Sequence, residues 1–117
     1  MPRIPRGERL RRGEDIREVR ARGACLRGRR LTVYVSEAPA YCIGTIAGRR
    51  VGLAVQRKRA RRLMREAIRH LRPRLRADRS AAILVSARPD IVSATMWDVL
   101  AELEALLSAR GLLASEP

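Results

Sequence analysis

The sequence predicts an α+β sandwich: a small sheet of about four strands with helices packed on it, in the order α-β-β-β-α-β-α. Three observations predict it. The runs "LTVYVSE", "YCIGTIAG" and "AAILVSARP" are rich in β-branched residues and lie among stretches whose apolar residues recur at helical spacing. The hydrophobic fraction is 46%, yet Phe is absent and there are only one Trp and two Tyr, so Val, Ile, Leu and Ala must fill the core. At 117 residues, with no internal repeat and no long linker, the chain reads as one domain.

Taken in order, residues 1–12 carry Pro2, Pro5 and several arginines and read as a flexible basic arm. "GEDIREVRARG" reads as a short helix with Gly13 as N-cap and Gly23 as its stop. Glu14 and Asp15 sit where the helix dipole favours anions, and the apolar face is little more than Ile16 and Val19. A short strand is expected around Ala24 to Leu26. "LTVYVSE" and "YCIGTIAG", with "APA" between them as a turn, read as a β-hairpin. "AAILVSARP" is apolar along most of its length and therefore reads as a central strand. "TMWDVLAELEALLSARG" is a helix with Thr95 as cap, Asp98 three residues on and Gly111 as terminator. Met96, Leu100, Leu103 and Leu107 repeat along it, so this nearly neutral helix packs and is assigned no chemistry. The domain spans residues 13–113, and residues 114–117 form a short tail.

Net charge is +14, and its distribution says more than its size. Residues 1–76 hold 23 of the 26 Lys and Arg against six acids, whereas residues 77–117 hold three against six. Such asymmetry implies a polyanionic partner for one part of the molecule. The densest part is "VGLAVQRKRARRLMREAIRHLRPRLR". From Arg49 to Arg76 there are twelve basic residues and one acid, Glu66.

With residues 57–72 on a helix at about 100° per residue, Ala60, Leu63, Met64, Ala67, Ile68 and Leu71 gather in an arc of roughly 140°, a core-facing stripe. Arg57, Lys58, Arg61, Arg62, Arg65, Arg69 and Arg72 gather in another arc of about the same width. Four like-charge pairs at i, i+4 oppose the helix by about 0.2–0.5 kcal/mol each, roughly one or two in all. Anions bound along that face would cancel the repulsion; the plainer reading is a solvated basic face. Among polyanions, nucleic acid leads. A membrane-surface helix needs apolar side chains free to enter lipid, and here they are needed for a core. A groove-reading DNA helix carries Asn, Gln or Ser among its arginines. A face that is nearly all Arg suits phosphates and folded RNA instead.

Other chemistries find little support. Cys25, Cys42 and His70 cannot make a convincing zinc site, and the two cysteines read as buried reduced thiols. No Asp/Glu cluster of the kind that holds catalytic metals is visible, and His70 reads as a boundary residue beside the apolar stripe. No catalytic residue and no metal ligand is assigned. No apolar run approaches membrane-spanning length, and "MPRIPRGERLRRGED" lacks the apolar segment of a secretory signal, so a soluble cytoplasmic protein is expected.

At this point the residues resemble a family, the protein subunit of bacterial ribonuclease P. Its signature is a basic helix opening with Arg-Asn-Arg, and "VGLAVQRKRARRLMREAI" stands in that place. "RLRRGEDIREVRARG" is similar to the family's N-terminal segment, and "AAILVSARP" to its late strand ending in Arg-Pro. The resemblance implies a ribosomal protein S5 domain 2-like fold with a left-handed βαβ crossover around the basic helix. It implies that Arg57, Lys58, Arg59, Arg61, Arg62, Arg65 and Arg69 contact the catalytic RNA. It also implies a cleft for the 5′ leader of precursor tRNA, with Ile16, Arg20, Tyr34, Arg49 and Arg50 on the matching positions. The activity implied is endonucleolytic 5′ maturation of tRNA, with catalysis in the RNA subunit and Mg2+ held mainly by that RNA. Ribonuclease P RNA and precursor tRNA are the partners expected, with no membrane and no obligate protein partner.

The sequence departs from the family pattern at three places. Lys58 stands where the family has asparagine, Ile16 and Arg20 stand where its first helix usually presents aromatics, and "GRRVG" replaces a Ser-Lys-Lys-hydrophobic-Gly turn. Two rival readings are a non-catalytic RNA-binding protein of ribosomal or chaperone type with the same sandwich, and a DNA-binding regulator.

Overall fold

The computed structural model describes residues 13–114. The basic arm of residues 1–12, the side chains of residues 13–15 and the tail beyond residue 114 lie outside the described residues. Three helices and four strands follow one another as α1 (Gly13–Arg22), β1 (Ala24–Arg27), β2 (Leu31–Ser36), β3 (Cys42–Ile46), α2 (Ala54–Leu71), β4 (Ala82–Ala87) and α3 (Met96–Ala109). The predicted class and element order hold.

The sheet order is β1-β2-β4-β3. β2 pairs antiparallel with β1 and β4, and β3 pairs parallel with β4. The expected hairpin between β2 and β3 is therefore absent: β4 lies between them, and the hairpin runs from β1 to β2. Two physical reasons account for this. Tight hairpin turns need residues at positive φ, and among the described residues only Gly52 and Gly111 adopt it, so residues 37–41 make a wider link. Ala82, Ile83, Leu84 and Val85 are each 0–1% exposed, which requires a neighbour on both edges and cover on both faces. A parallel pair cannot be closed by a short turn, and α2 supplies the crossover from β3 to β4.

Alternation along the strands divides the core in two. Leu31, Val33 and Val35 of β2 and Ile83 and Val85 of β4 point to one face, where Leu63, Met64 and Ala67 of α2 and Val99, Leu103 and Leu107 of α3 cover them. Leu84 and Cys42 point to the other face, where Val19 of α1 seals them. Ile16, Tyr34 and Ile46 pack partly buried around that second cluster.

Local signals set the helix ends. Gly23 follows α1 because its N–H donates to Val19 O at 2.8 Å and a Cβ there would sit 2.9 Å from Val35 O. α2 begins at Ala54, a turn before the predicted Arg57, where Leu53 N–H donates to Gln56 Oε1 at 2.7 Å. It tightens into the 3-10 turn Arg72–Arg74, in which Pro73 has no N–H to continue the helix. α3 opens on the predicted box: Thr95 Oγ1 accepts from Asp98 N–H at 3.2 Å, and Asp98 Oδ2 accepts from Thr95 N–H at 2.9 Å. That bond holds the Asp98 carboxyl below its ordinary range. Gly111 closes the helix at φ 77°.

Of the two cysteines, one departs from expectation. Cys42 is buried but Cys25 is exposed, and neither forms a disulfide. They sit on opposite edge strands, three strand spacings or about 14 Å apart, beyond the reach of an S–S bond.

Glu102 ties α3 to the sheet. Its Oε2 accepts from the backbone N–H of Arg30 and of Leu31, each at 2.8 Å, and its Oε1 accepts from the Arg30 guanidinium at 3.3 Å. Gly28 makes room, since a Cβ there would run into this carboxylate. Glu102→Ala leaves two N–H groups at the start of β2 unpaired and is expected to cost about 1–3 kcal/mol of unfolding free energy. Urea denaturation measures it, and Glu102→Gln, which keeps one acceptor oxygen, should recover part of the loss.

Candidate nucleic-acid interface

The apolar stripe of α2 faces the sheet as its period requires. Ala60, Leu63, Met64, Ala67 and Leu71 are all buried and Ile68 is half-buried. The opposite face has nowhere to go but outward. Lys58, Arg62, Arg65 and Arg69 are exposed, and Arg57 and Arg61 are half-buried beside the stripe. Arg57 Nε is buried without a hydrogen-bond partner among the described residues. Arg59 stands apart: its guanidinium donates to Val92 O at 3.2 Å and Ala94 O at 2.8 Å. It clasps the 3-10 turn Pro89–Ser93 and the segment leading into α3, a structural task that its place between the basic arc and the apolar stripe did not reveal.

The carboxylates explain why the ridge keeps its charge. Glu18 pairs with Arg22, Asp90 with Arg29, Glu102 with Arg30, Glu104 with Arg74 and Asp78 with Arg76. All these arginines lie off the ridge. None of Lys58, Arg61, Arg62, Arg65 and Arg69 makes an ion pair among the described residues. Among the described residues no ion pair offsets the repulsion between neighbouring guanidiniums along α2.

A second basic surface lies on the other face of the sheet. Ile16 of α1 and Tyr34 of β2 belong to one partly buried cluster, and the Arg20 guanidinium carbon lies 5.8 Å from the Tyr34 ring centroid. At that distance the cation is held over the ring. Cys25 of β1 is directly across from Tyr34, and Arg27 is across from Thr32. Cross-strand partners share a face, so both side chains border the same cleft. The structure brings Ile16, Arg20 and Tyr34 together. Arg49 and Arg50 stand outside that cluster, exposed on the 3-10 turn Arg49–Val51 between β3 and α2. Gly52, at φ 141°, turns the chain into α2, and a Cβ there would collide with the Gln56 side chain.

Sequence reasoning missed Arg27, although the period of two from Cys25 signals its face. It also missed the pairing of His70 with Trp97, whose ring centroids are 5.8 Å apart. Among the described residues no three His, Cys, Asp or Glu side chains converge as a metal site, and no helix is long and apolar enough to cross a membrane.

Comparison with known proteins agrees with this geometry. The family model for ribonuclease P matches residues 4–110. The ribonuclease P protein component of Chloroflexus aurantiacus is 38% identical over 110 residues, covering 92% of this chain and 81% of the relative. That of Acidothermus cellulolyticus is 34% identical over 108 residues, covering 89% and 88%. Among solved structures, the ribonuclease P protein of Staphylococcus aureus superposes with a TM-score of 0.77 at 20% identity, covering 93% of each chain. That of Thermotoga maritima superposes at 0.74 and 23%, covering 86% of this chain and 96% of its own. The structural likeness establishes the fold, and the sequence match carries the kinship. With its basic crossover helix, its four-stranded sheet and its whole domain matched in order, this chain belongs to the ribonuclease P protein family.

Proposed function

We propose that this protein binds a ribonuclease P RNA along α2 and the 5′ leader of precursor tRNA across the cleft between α1 and the sheet, promoting 5′ maturation of tRNA in the cytoplasm. The observation that carries the reading is the outward ridge of Lys58, Arg61, Arg62, Arg65 and Arg69, none of which makes an ion pair among the described residues. Phosphates of a folded RNA supply the missing counter-charge, and releasing their condensed cations drives association. Arg57 extends the ridge toward the N-terminal end of α2, while Arg59 keeps its guanidinium on the Val92 and Ala94 carbonyls.

The cleft suits a single strand better than a duplex. Tyr34 offers one half-buried ring for a base to stack on, and Arg20, Arg27, Arg49 and Arg50 provide charge for the backbone. Where the family usually has aromatics on the first helix, Ile16 and Arg20 shift leader binding from stacking toward electrostatics. Bond cleavage belongs to the RNA, which holds the magnesium ions that activate water. The protein side chains hold the strand and screen phosphate repulsion.

Reconstitution tests the proposal. Added to a bacterial ribonuclease P RNA at low magnesium, the protein should accelerate 5′ cleavage of precursor tRNA, and a control protein of equal charge should not. Equal stimulation by the control would sink the specific reading and leave only general RNA binding. The Arg61, Arg62 and Arg65 to Ala triple variant should weaken assembly with the RNA and flatten the salt dependence. For about six neutralised phosphates the log–log slope is near −4 to −5, and loss of three should reduce it by about two to three units. Tyr34→Leu should spare assembly and lower the preference for leader-bearing over leaderless substrate about ten-fold, the order of one stacked base. Competition cleavage measures that ratio.

A further inference from the structure

Trp97 is the one tryptophan of the chain, and at 66% exposure it is left in water while both tyrosines pack partly buried against the core. Its position is held from three sides. The Thr95–Asp98 box fixes the first turn of α3. Arg59 clasps the carbonyls of Val92 and Ala94 just before that turn. His70 of α2 meets the indole with centroids 5.8 Å apart and planes tilted by 50°. His70 falls about 80° around α2 from Arg62 at 100° per residue. The indole therefore covers the flank between the ridge and the apolar stripe. Glu66 is the one carboxylate on that flank of α2, and the Asp98 carboxylate next to the indole is already engaged by the Thr95 N–H.

The surface is sized for one planar ring. Between residues 72 and 113, Val92 at 38% is the other exposed large apolar side chain. Leu53 and Val55 lie at the far end of α2 from His70, about 22–26 Å away at 1.5 Å per residue. A stable protein–protein contact needs about 1,000 Å² or more with an apolar centre, and this flank offers one indole beside a cationic ridge. Every nucleobase has a π-face that an exposed indole can stack on, whatever its identity. The phosphates on either side of such a base would fall toward the guanidiniums of Arg62 and Arg69.

We infer that Trp97, braced by His70, is a stacking platform for an unpaired nucleobase of the RNA bound along α2. The inference rests on the reading of α2 as the RNA-subunit face and adds a contact made by α3. Because Trp97 is the sole tryptophan, its fluorescence reports on this site alone.

The full-length protein is titrated with a bacterial ribonuclease P RNA transcript and, in parallel, with a fully paired RNA duplex of similar length. The transcript should quench Trp97 emission, whereas the duplex should bind without quenching. Trp97→Leu should lower affinity for the transcript about ten-fold, leave duplex affinity unchanged and retain the wild-type melting curve; Trp97→Phe should restore most of the loss. If Trp97→Leu binds the transcript as tightly as wild type while the Arg61/Arg62/Arg65 variant does not, the platform is refuted and the RNA-subunit face stands. If neither variant loses affinity, the reading of α2 falls and the platform with it. If Trp97→Leu instead changes only self-association in sedimentation, the ring is a protein contact and the inference is overturned.

Discussion

The burial of the α2 stripe against β3 and β4 is the interaction on which the molecule depends. Parallel strands must be joined by a crossover, and this one packs Met64 and Ala67 at 0% exposure over the sheet. Truncating a buried Leu or Met to Ala costs about 2–5 kcal/mol, whereas each like-charge pair on the outer face costs about 0.2–0.5. Packing wins by an order of magnitude, so the helix holds its register despite the repulsion. That register presents the arginines as a single outward row. One set of contacts thus determines both the topology and the charge display.

Apart from Glu66, the acids of the described residues lie elsewhere than on α2. Glu102 and Glu104 of α3 hold Arg30 and Arg74, and Asp90 and Asp78 hold Arg29 and Arg76 on the connecting turns. The exposed pairs, Arg29–Asp90 and Arg76–Asp78, contribute little to stability, about 0–1 kcal/mol each, whereas Arg30–Glu102 is largely buried. Their placement matters more than their strength. With a screening length of about 10 Å at 0.1 M salt, a carboxylate already closed onto its own arginine does little to soften the field at the outer face of α2. The molecule is therefore basic where it is uncompensated and close to balanced around α3.

Local chemistry was readable from the residues, and long-range order was less so. The stripe and ridge of α2, the Thr95–Asp98 box and the Gly111 stop follow from spacing and capping within one or two turns, and all are present. The two-sided burial of β4 was visible in "AAILVSARP", and it did mark a central strand. Which strands flank it is a matter of tertiary competition that residues 37–41 do not encode, so β3 was assigned to the wrong neighbour. Trp97 was passed over because α3 was read as a packing helix throughout. Its buried side is Val99, Leu103 and Leu107, and at 100° per residue Trp97 falls about 120° from Leu103, a displacement that a helical projection would have exposed. The clasp of Arg59 on two backbone carbonyls could not have been seen in the sequence, since it depends on a turn some 33 residues away.

The two-faced sheet has an evolutionary consequence. Tyr34 and Leu84 look toward α1, while Val33, Val35, Ile83 and Val85 in the same two strands look toward α2 and α3. Neighbours along the backbone therefore answer to different demands. A residue on the face toward α1 can be exchanged, one alternate position at a time, without disturbing the wall behind it. Change on one side of the sheet can thus accumulate at little risk to the other.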